Sequence, residues 1–332
     1  MIQGLYVLDP VSWDRIYGAA QREAIGRHVR IYADVQTRES VGRDPGVLGD
    51  AEVIFSGWGA PRMDEAFLAA AANLKAVFYG AGSIKGVVTD AFWDRGIAIT
   101  SAAAANAIPV AEYTLSQILF SLKRGWQHVR GIRSAGSPEG WQRIEVAGAY
   151  GSTVGLVSLG MIGRLVAESL ARHDVRVIAY DPFVCEQDAA TLGVELCGLD
   201  ELFRRADVIS LHTPNLPETR GMIAGGHVES MKPGATFINT ARGAVVRETE
   251  MIEVLCRRGD LWAILDVTDP EPPAAGSPLY TLPNVVLTPH IAGAMDAECR
   301  RMGQSMVAEL DRYVRGEPLR GQIDRQRAQR MA

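Results

Sequence analysis

The chain alternates short, almost unbroken apolar runs with longer stretches whose apolar residues recur at helical spacing. In the first third the runs are GLYVLD, AEVIFSG, AVFYGAG and IAITSA, closing at Gly, Ser or Asp turns, with helical segments such as MDEAFLAAAANL between them. A second, more regular series reads VGLVSL, VRVIAYD, DVISLH, TFINTA, WAILDV and VVLTPH. Strands that alternate with helices and carry no polar face belong in parallel sheets covered on both sides. Four strand–helix units therefore predict a small N-terminal sheet, and six further strands a larger one. The fold class expected is α/β, with two doubly wound parallel-sheet domains. Between the two series, ANAIPVAEYTLSQILFSLKRGWQHV places Val110, Leu115, Ile118, Leu119 and Leu122 close to one helical face. One long helix linking the domains is expected there, with AGSPEGWQR after it as a loop. A last helix over roughly 295–315 is expected to return to the first domain, dividing the chain into 1–104 plus 294–332 and 105–293. The charged tail from Gly316 is expected to fray.

At 332 residues, 47% hydrophobic and 22% charged, the chain is of ordinary globular make-up and long enough for two domains. Its net charge of −5 lacks the broad positive field of a nucleic-acid or anionic-membrane binder, so neither partner is expected. No 18-residue apolar stretch runs without charged or strongly polar breaks, which argues against a membrane span. The opening MIQGLYVLDPVSWDR shows no signal-peptide pattern. Cys185, Cys197, Cys256 and Cys299 have no C-x-x-C spacing. A cytoplasmic chain with free thiols and no metal site is the expectation.

The sharpest local motif is VGLVSLGMIGRLVAESL, a buried strand that turns through Ser158-Leu159-Gly160-Met161-Ile162-Gly163 into a helix. A dinucleotide-binding turn needs a tight bend, bare backbone beside the pyrophosphate and close helix–strand packing. Gly160 and Gly163 meet the last two needs. Ser158 stands where glycine is usual, and serine can make the bend if its φ stays negative. Taken alone, Gly-x-x-Gly marks a strand–helix junction as readily as a nucleotide site. Asp181 adds weight, because it ends the next strand eighteen residues after Gly163. A carboxylate there accepts from an adenosine ribose and repels a 2′-phosphate, which favours NAD over NADP. An ordinary Asp-Pro turn is the bland alternative.

Three further strand ends carry catalytic residue types, at the edge where open α/β sheets bind ligands. Arg242, in FINTARGAVV, has the planar fork that grips a carboxylate and polarises a neighbouring carbonyl, though loop arginines are most often surface cations. Asp266 ends the strand in LDVTDPEPP, and the prolines beyond it brace Glu271, which alone reads equally as a solvated acid. His290, in VVLTPHIAG, is the best placed of six histidines for proton transfer. His212, in SLHTPN, is given a cofactor-loop role at best.

In order and spacing these segments resemble the NAD-dependent D-2-hydroxyacid dehydrogenase family. The resemblance runs through ANAIPVAEYTL, VGLVSLGMIG, YDP, LHTPNLPETRGMI, MKPGATFINTARGAVV, LDVTDPEPP and SPLYTLPNVVLTPHIAG, over roughly residues 100–295. It implies a Rossmann dinucleotide-binding domain and a smaller flavodoxin-like substrate domain, with a cleft between them. The implied reaction is hydride transfer between NAD(H) and a small 2-keto or D-2-hydroxy acid. Arg242 would bind the substrate carboxylate and carbonyl, and His290, oriented by Glu271, would be the acid/base. Ser158, Gly160, Met161, Ile162 and Gly163 would hold the pyrophosphate, and Asp181 the ribose. Asp266 would hold the nicotinamide carboxamide with Val110 and Thr240 nearby. His212, Thr213, Pro214, Ala241, His290 and Gly293 would complete the cofactor surface. The loop Tyr79-Gly80-Ala81-Gly82-Ser83 would point backbone amides at the substrate carboxylate. Ile84-Lys85 then stand where relatives usually carry Asp-Asn, which leaves the substrate's identity open. A homodimer is implied as well. Two alternatives stay open: an NAD(H)-sensing corepressor or binding protein of dehydrogenase type, and a phosphite- or formate-type dehydrogenase. Glu271 counts against the formate type.

Overall fold

Each apolar run of the sequence forms a strand in the computed structural model, which describes residues 1–331. Unit 1 comprises Met1–Asn106 and Ala294–Met331. Its strands are β1 (Ile2–Val7), β2 (Val29–Ile31), β3 (Val53–Ser56), β4 (Ala76–Tyr79) and β5 (Ala98–Ser101). They form one parallel sheet in the order β2-β1-β3-β4-β5, which is the flavodoxin-like order. Successive side chains face opposite ways. Leu5, Val7, Ile54, Val77 and Ile99 enter one apolar cluster, and Tyr6, Phe55 and Phe78 the other. Burial on both faces explains why these runs show no polar alternation. The helix Cys299–Val314 closes the second cluster with Met302, Met306 and Leu310.

Unit 2, Ala107–Gly293, holds β6 (Thr153–Val157), β7 (Arg176–Tyr180), β8 (Val194–Leu196), β9 (Val208–Leu211), β10 (Thr236–Asn239), β11 (Trp262–Leu265) and β12 (Val285–Leu287). The parallel order is β12-β11-β10-β9-β6-β7-β8. β6 lies between β7 and β9, so the winding reverses there. The crevice beyond the C-terminal ends of β6 and β9 is the topological switch point, where such sheets take ligands. Among the described residues, no helix is long and apolar enough to cross a membrane.

The structure departs from the sequence expectations in three places. β2 and β8 were not foreseen: each is a three-residue edge strand whose middle residue, Arg30 or Glu195, is exposed, so neither forms an apolar run. The expected single long helix is two, Ala103–Leu122 and Gly125–Ala135, because Arg124 turns left-handed at φ 48° and the Phe120 ring fills the space beside Gly125. The tail, as far as Met331, is held against unit 1 instead. β5 is an edge strand with free backbone groups. The Ile323 amide donates to the Ile99 carbonyl, and the Ser101 amide to Gly321. Ile323 is buried, and Asp324 caps the short helix Arg325–Arg330.

Candidate active site

The loops leaving β6, β7 and β9 carry the nucleotide motif. Ser158 follows β6 with φ 79°, correcting the expected negative value. A non-glycine residue in this region costs about 1–2 kcal/mol. Two contacts hold it there: its amide donates to Tyr180 O at 2.8 Å, and its Oγ lies 2.8 Å from Thr213 Oγ1. A Cβ at Gly163 would run into the Ser158 carbonyl oxygen, so the helix can start this close only with glycine. At Gly160 a Cβ would meet nothing within 4 Å, and that open face leads into the helix Met161–Leu170. The first amides of that helix, including Met161, Ile162 and Gly163, have no intrahelical acceptor, and the helix dipole favours an anion beside them. Bare backbone, free amides and dipole together fit a pyrophosphate.

Asp181 Oδ2 accepts the Leu159 amide and Oδ1 the Phe183 amide, each at 2.8 Å. The carboxylate thus ties the turn to the end of β7, and each oxygen keeps capacity for a ribose hydroxyl. His212, after β9, is buried with neither ring nitrogen hydrogen-bonded. Burial pushes its pKa down to about 4, so the ring is neutral. Its Cδ2 lies 3.7 Å from where a Gly163 Cβ would stand. Thr213 and Pro214 continue this loop, and the Pro214 carbonyl accepts Thr219 Oγ1 at 2.6 Å.

Arg242 follows β10 in a loop braced by Asn239, whose Oδ1 accepts the Ala241 amide and whose Nδ2 donates to Arg242 O. Arg242 Nη1 donates to Ala241 O at 2.6 Å. Burial lowers the Arg242 pKa and the Glu271 charge opposes that shift, yet a guanidinium stays protonated. Thr240 pairs its hydroxyl with Thr114 at 3.0 Å, on the helix that also carries Val110. Asp266, buried after β11, accepts Thr288 Oγ1 at 2.6 Å and the Ile291 and Ala292 amides at 2.9 Å. The Asp266 carbonyl accepts the His290 amide. This acid therefore anchors the loop that presents His290 and ends at Gly293. The sequence did not single out Asn239 or Thr288; a polar residue at each strand end, able to bond its own loop, was the available signal.

His290, at φ 54°, brings Nδ1 within 2.6 Å of Glu271 Oε1. Both side chains are partly exposed. The pair leaves Nε2 as the nitrogen that can exchange a proton with a ligand. Glu271, His290, Asp266, Thr268 and Thr288 line a cavity of about 390 Å³.

In unit 1 the loop expected to meet the substrate departs from that expectation at Gly80. Tyr79 is the last residue of β4, with its ring in the core. The Gly80 amide is already donated to Ser56 O at 2.8 Å and cannot face a substrate. Ser101 Oγ donates to the Ala81 and Gly82 carbonyls. In a planar trans peptide the following amides, Gly82 and Ser83, then point away from Ser101. Ile84 is buried, so the departure from the family pattern puts an apolar side chain into the core.

Residues 117–292 match the family described as D-isomer specific 2-hydroxyacid dehydrogenase, NAD binding domain. Over 294 residues the chain is 35% identical to the (S)-sulfolactate dehydrogenase of Chromohalobacter salexigens, covering 85% of this chain and 94% of that one. The chain belongs to the D-isomer specific 2-hydroxyacid dehydrogenase family. The part matched by that family's model is its NAD-binding domain. The chain is also 37% identical over 257 residues to the D-3-phosphoglycerate dehydrogenase of Mycobacterium tuberculosis, covering 77% of this chain and 48% of the relative. It thus spans about half the length of such curated relatives. Among solved structures, the TT0316 protein of Thermus thermophilus superposes with a TM-score of 0.75 at 29% identity, covering 97% of this chain and 100% of that one. The apo D-mandelate dehydrogenase of Rhodotorula graminis shares the fold, with a TM-score of 0.83 at 23% identity and 98% coverage of both chains.

Proposed function

We propose that this dehydrogenase interconverts a small 2-keto acid and the corresponding D-2-hydroxy acid. The observation that carries the reading is the His290–Glu271 contact of 2.6 Å, on a cavity that also takes in Asp266. Glu271 accepts from Nδ1 and so sets the ring's orientation and tautomer, which presents Nε2 to the substrate oxygen. In reduction His290 gives its proton to the oxygen of the forming alcohol; in oxidation it takes that proton back. Arg242 grips the substrate carboxylate and donates to the keto oxygen, stabilising the charge that develops there. Asn239 fixes the backbone on either side of Arg242, so the fork is aimed before substrate arrives. NAD(H), when bound, supplies or accepts the hydride at the nicotinamide C4. Asp266 Oδ2, which accepts one protein donor, has capacity left for the carboxamide of that ring.

A homodimer is also proposed. Val129 and Ile132 on the helix Gly125–Ala135, and Trp141, Ile144 and Val146 beyond it, are large apolar residues left exposed. Such surface supports a subunit contact.

NADH consumption with a panel of 2-keto acids tests the function. The keto forms of 3-phosphoglycerate and sulfolactate belong in it, because two relatives are named for those acids. Turnover of at least one acid is expected. Arg242→Lys, which keeps the charge but loses the fork, should lower kcat/KM by roughly 10²–10³ and leave NADH affinity in place. An equal loss of NADH binding would assign Arg242 to the cofactor or the fold instead.

A further inference from the structure

We propose that Ser158 is a positioning residue for the cofactor: its hydroxyl, paired with Thr213, ties together the two loops of the switch-point crevice. The inference rests on the NAD-dependent reading above. Glycine adopts a φ of 79° without strain, whereas serine does so only when neighbouring contacts hold it. The contact is specific. Ser158 Oγ and Thr213 Oγ1 are 2.8 Å apart, and Thr213 is buried with its Oγ1 also 3.4 Å from the Val157 carbonyl. β6 and β9 are adjacent, with Val157 opposite Leu211, so the hydroxyl pair spans the floor of the crevice between their loops.

The turn is fixed on its other side as well. The Ser158 amide bonds Tyr180, and the Leu159 amide bonds Asp181, both at the end of β7. The tie toward the β9 loop, by contrast, runs through a side chain that a glycine cannot supply. With both sides fixed, the free amides of Met161 to Gly163 keep one direction relative to Thr213 and Pro214 before any ligand binds. Ordering done in the free protein does not have to be done on binding.

The test compares Ser158→Gly, Thr213→Val, their double variant and the conservative Thr213→Ser. In the protein without ligand, exchange of the hydrogen-bonded amides at 158, 159 and 216 should quicken in the first three and stay slow in Thr213→Ser. In a fluorescence titration with NADH, each disrupting single variant should raise Kd by about two- to tenfold, the worth of one neutral hydrogen bond. The double variant should be no worse than the weaker-binding single, because both break the same tie. Unchanged exchange and Kd in Ser158→Gly would overturn the proposal, as would a lowered Tm with exchange and Kd unmoved. A wild-type protein that bound no NADH would overturn the functional reading together with this one. Tight wild-type binding with indifferent variants would remove only the role of Ser158.

Discussion

Burial of His212 makes a pH prediction that belongs to a single residue. Its pKa is pushed down to about 4 in the folded chain, against 6.5 for a free imidazole. Between these values the unfolded chain binds a proton that the folded chain refuses. Stability from this residue is therefore full above pH 6.5 and falls as pH drops toward 4. The loss is about 1.4 kcal/mol per pH unit and roughly 3 kcal/mol in all. His212→Gln should make the pH dependence of the urea midpoint shallower across that window by about one proton. Identical slopes in the two proteins would show that His212 does not stay neutral. Arg242 and His290 were legible as residue types beyond strand ends, and Glu271 in the Pro-braced loop after Asp266. That Glu271 meets His290 came only from the family resemblance, because the contact depends on Asp266 folding the loop of His290.

Close approach of elements decides the next prediction. The helix Cys299–Val314 crosses the end of the helix Pro10–Ile16 at Gly303, where an added Cβ would run into the Ile16 carbonyl. Alanine is the better helix former by about 1 kcal/mol. The backbone at Ile16 cannot yield as a flexible side chain would, so the clash should win. Gly303→Ala is expected to destabilise by about 1–3 kcal/mol. Gly26→Ala, at the end of the helix Ala19–Gly26 with nothing within 4 Å of the new methyl, is the control and should be neutral or stabilising. Urea melts of the two variants give the comparison, and a neutral Gly303→Ala would mean that the helices separate without cost. At this scale the ten apolar runs were readable as strands, whereas β2 and β8 were hidden because edge strands need no apolar run.

For the molecule as a whole, cofactor choice shows as stability. A ligand that binds only the folded chain stabilises it by about 2.7 kcal/mol at a hundred times its Kd. NADH should therefore raise the melting temperature. NADPH at the same concentration should raise it less, because the Asp181 carboxylate repels a 2′-phosphate. Asp181→Ala should narrow the difference, even though it also frees the Leu159 and Phe183 amides. Calorimetric scans with equal shifts for the two cofactors in the unmodified protein would remove Asp181 as the discriminator.

The apolar runs and their turns determined the α/β architecture, since strands covered on both faces must be apolar throughout. The glycines at 160 and 163 and the acid at 181 likewise marked the turn proposed for the nucleotide, because close backbone approach and a strand-end carboxylate are written in single residue types. What the tertiary structure decided is how far each group is already committed. It spent the Gly80 amide on Ser56 and turned Ser158 into the left-handed region against Thr213. It also docked the charged tail on β5 and put the Glu271 carboxylate on His290. None of these is a local property: each is a hydrogen bond between segments far apart in the chain, satisfied only once the sheets have brought them together.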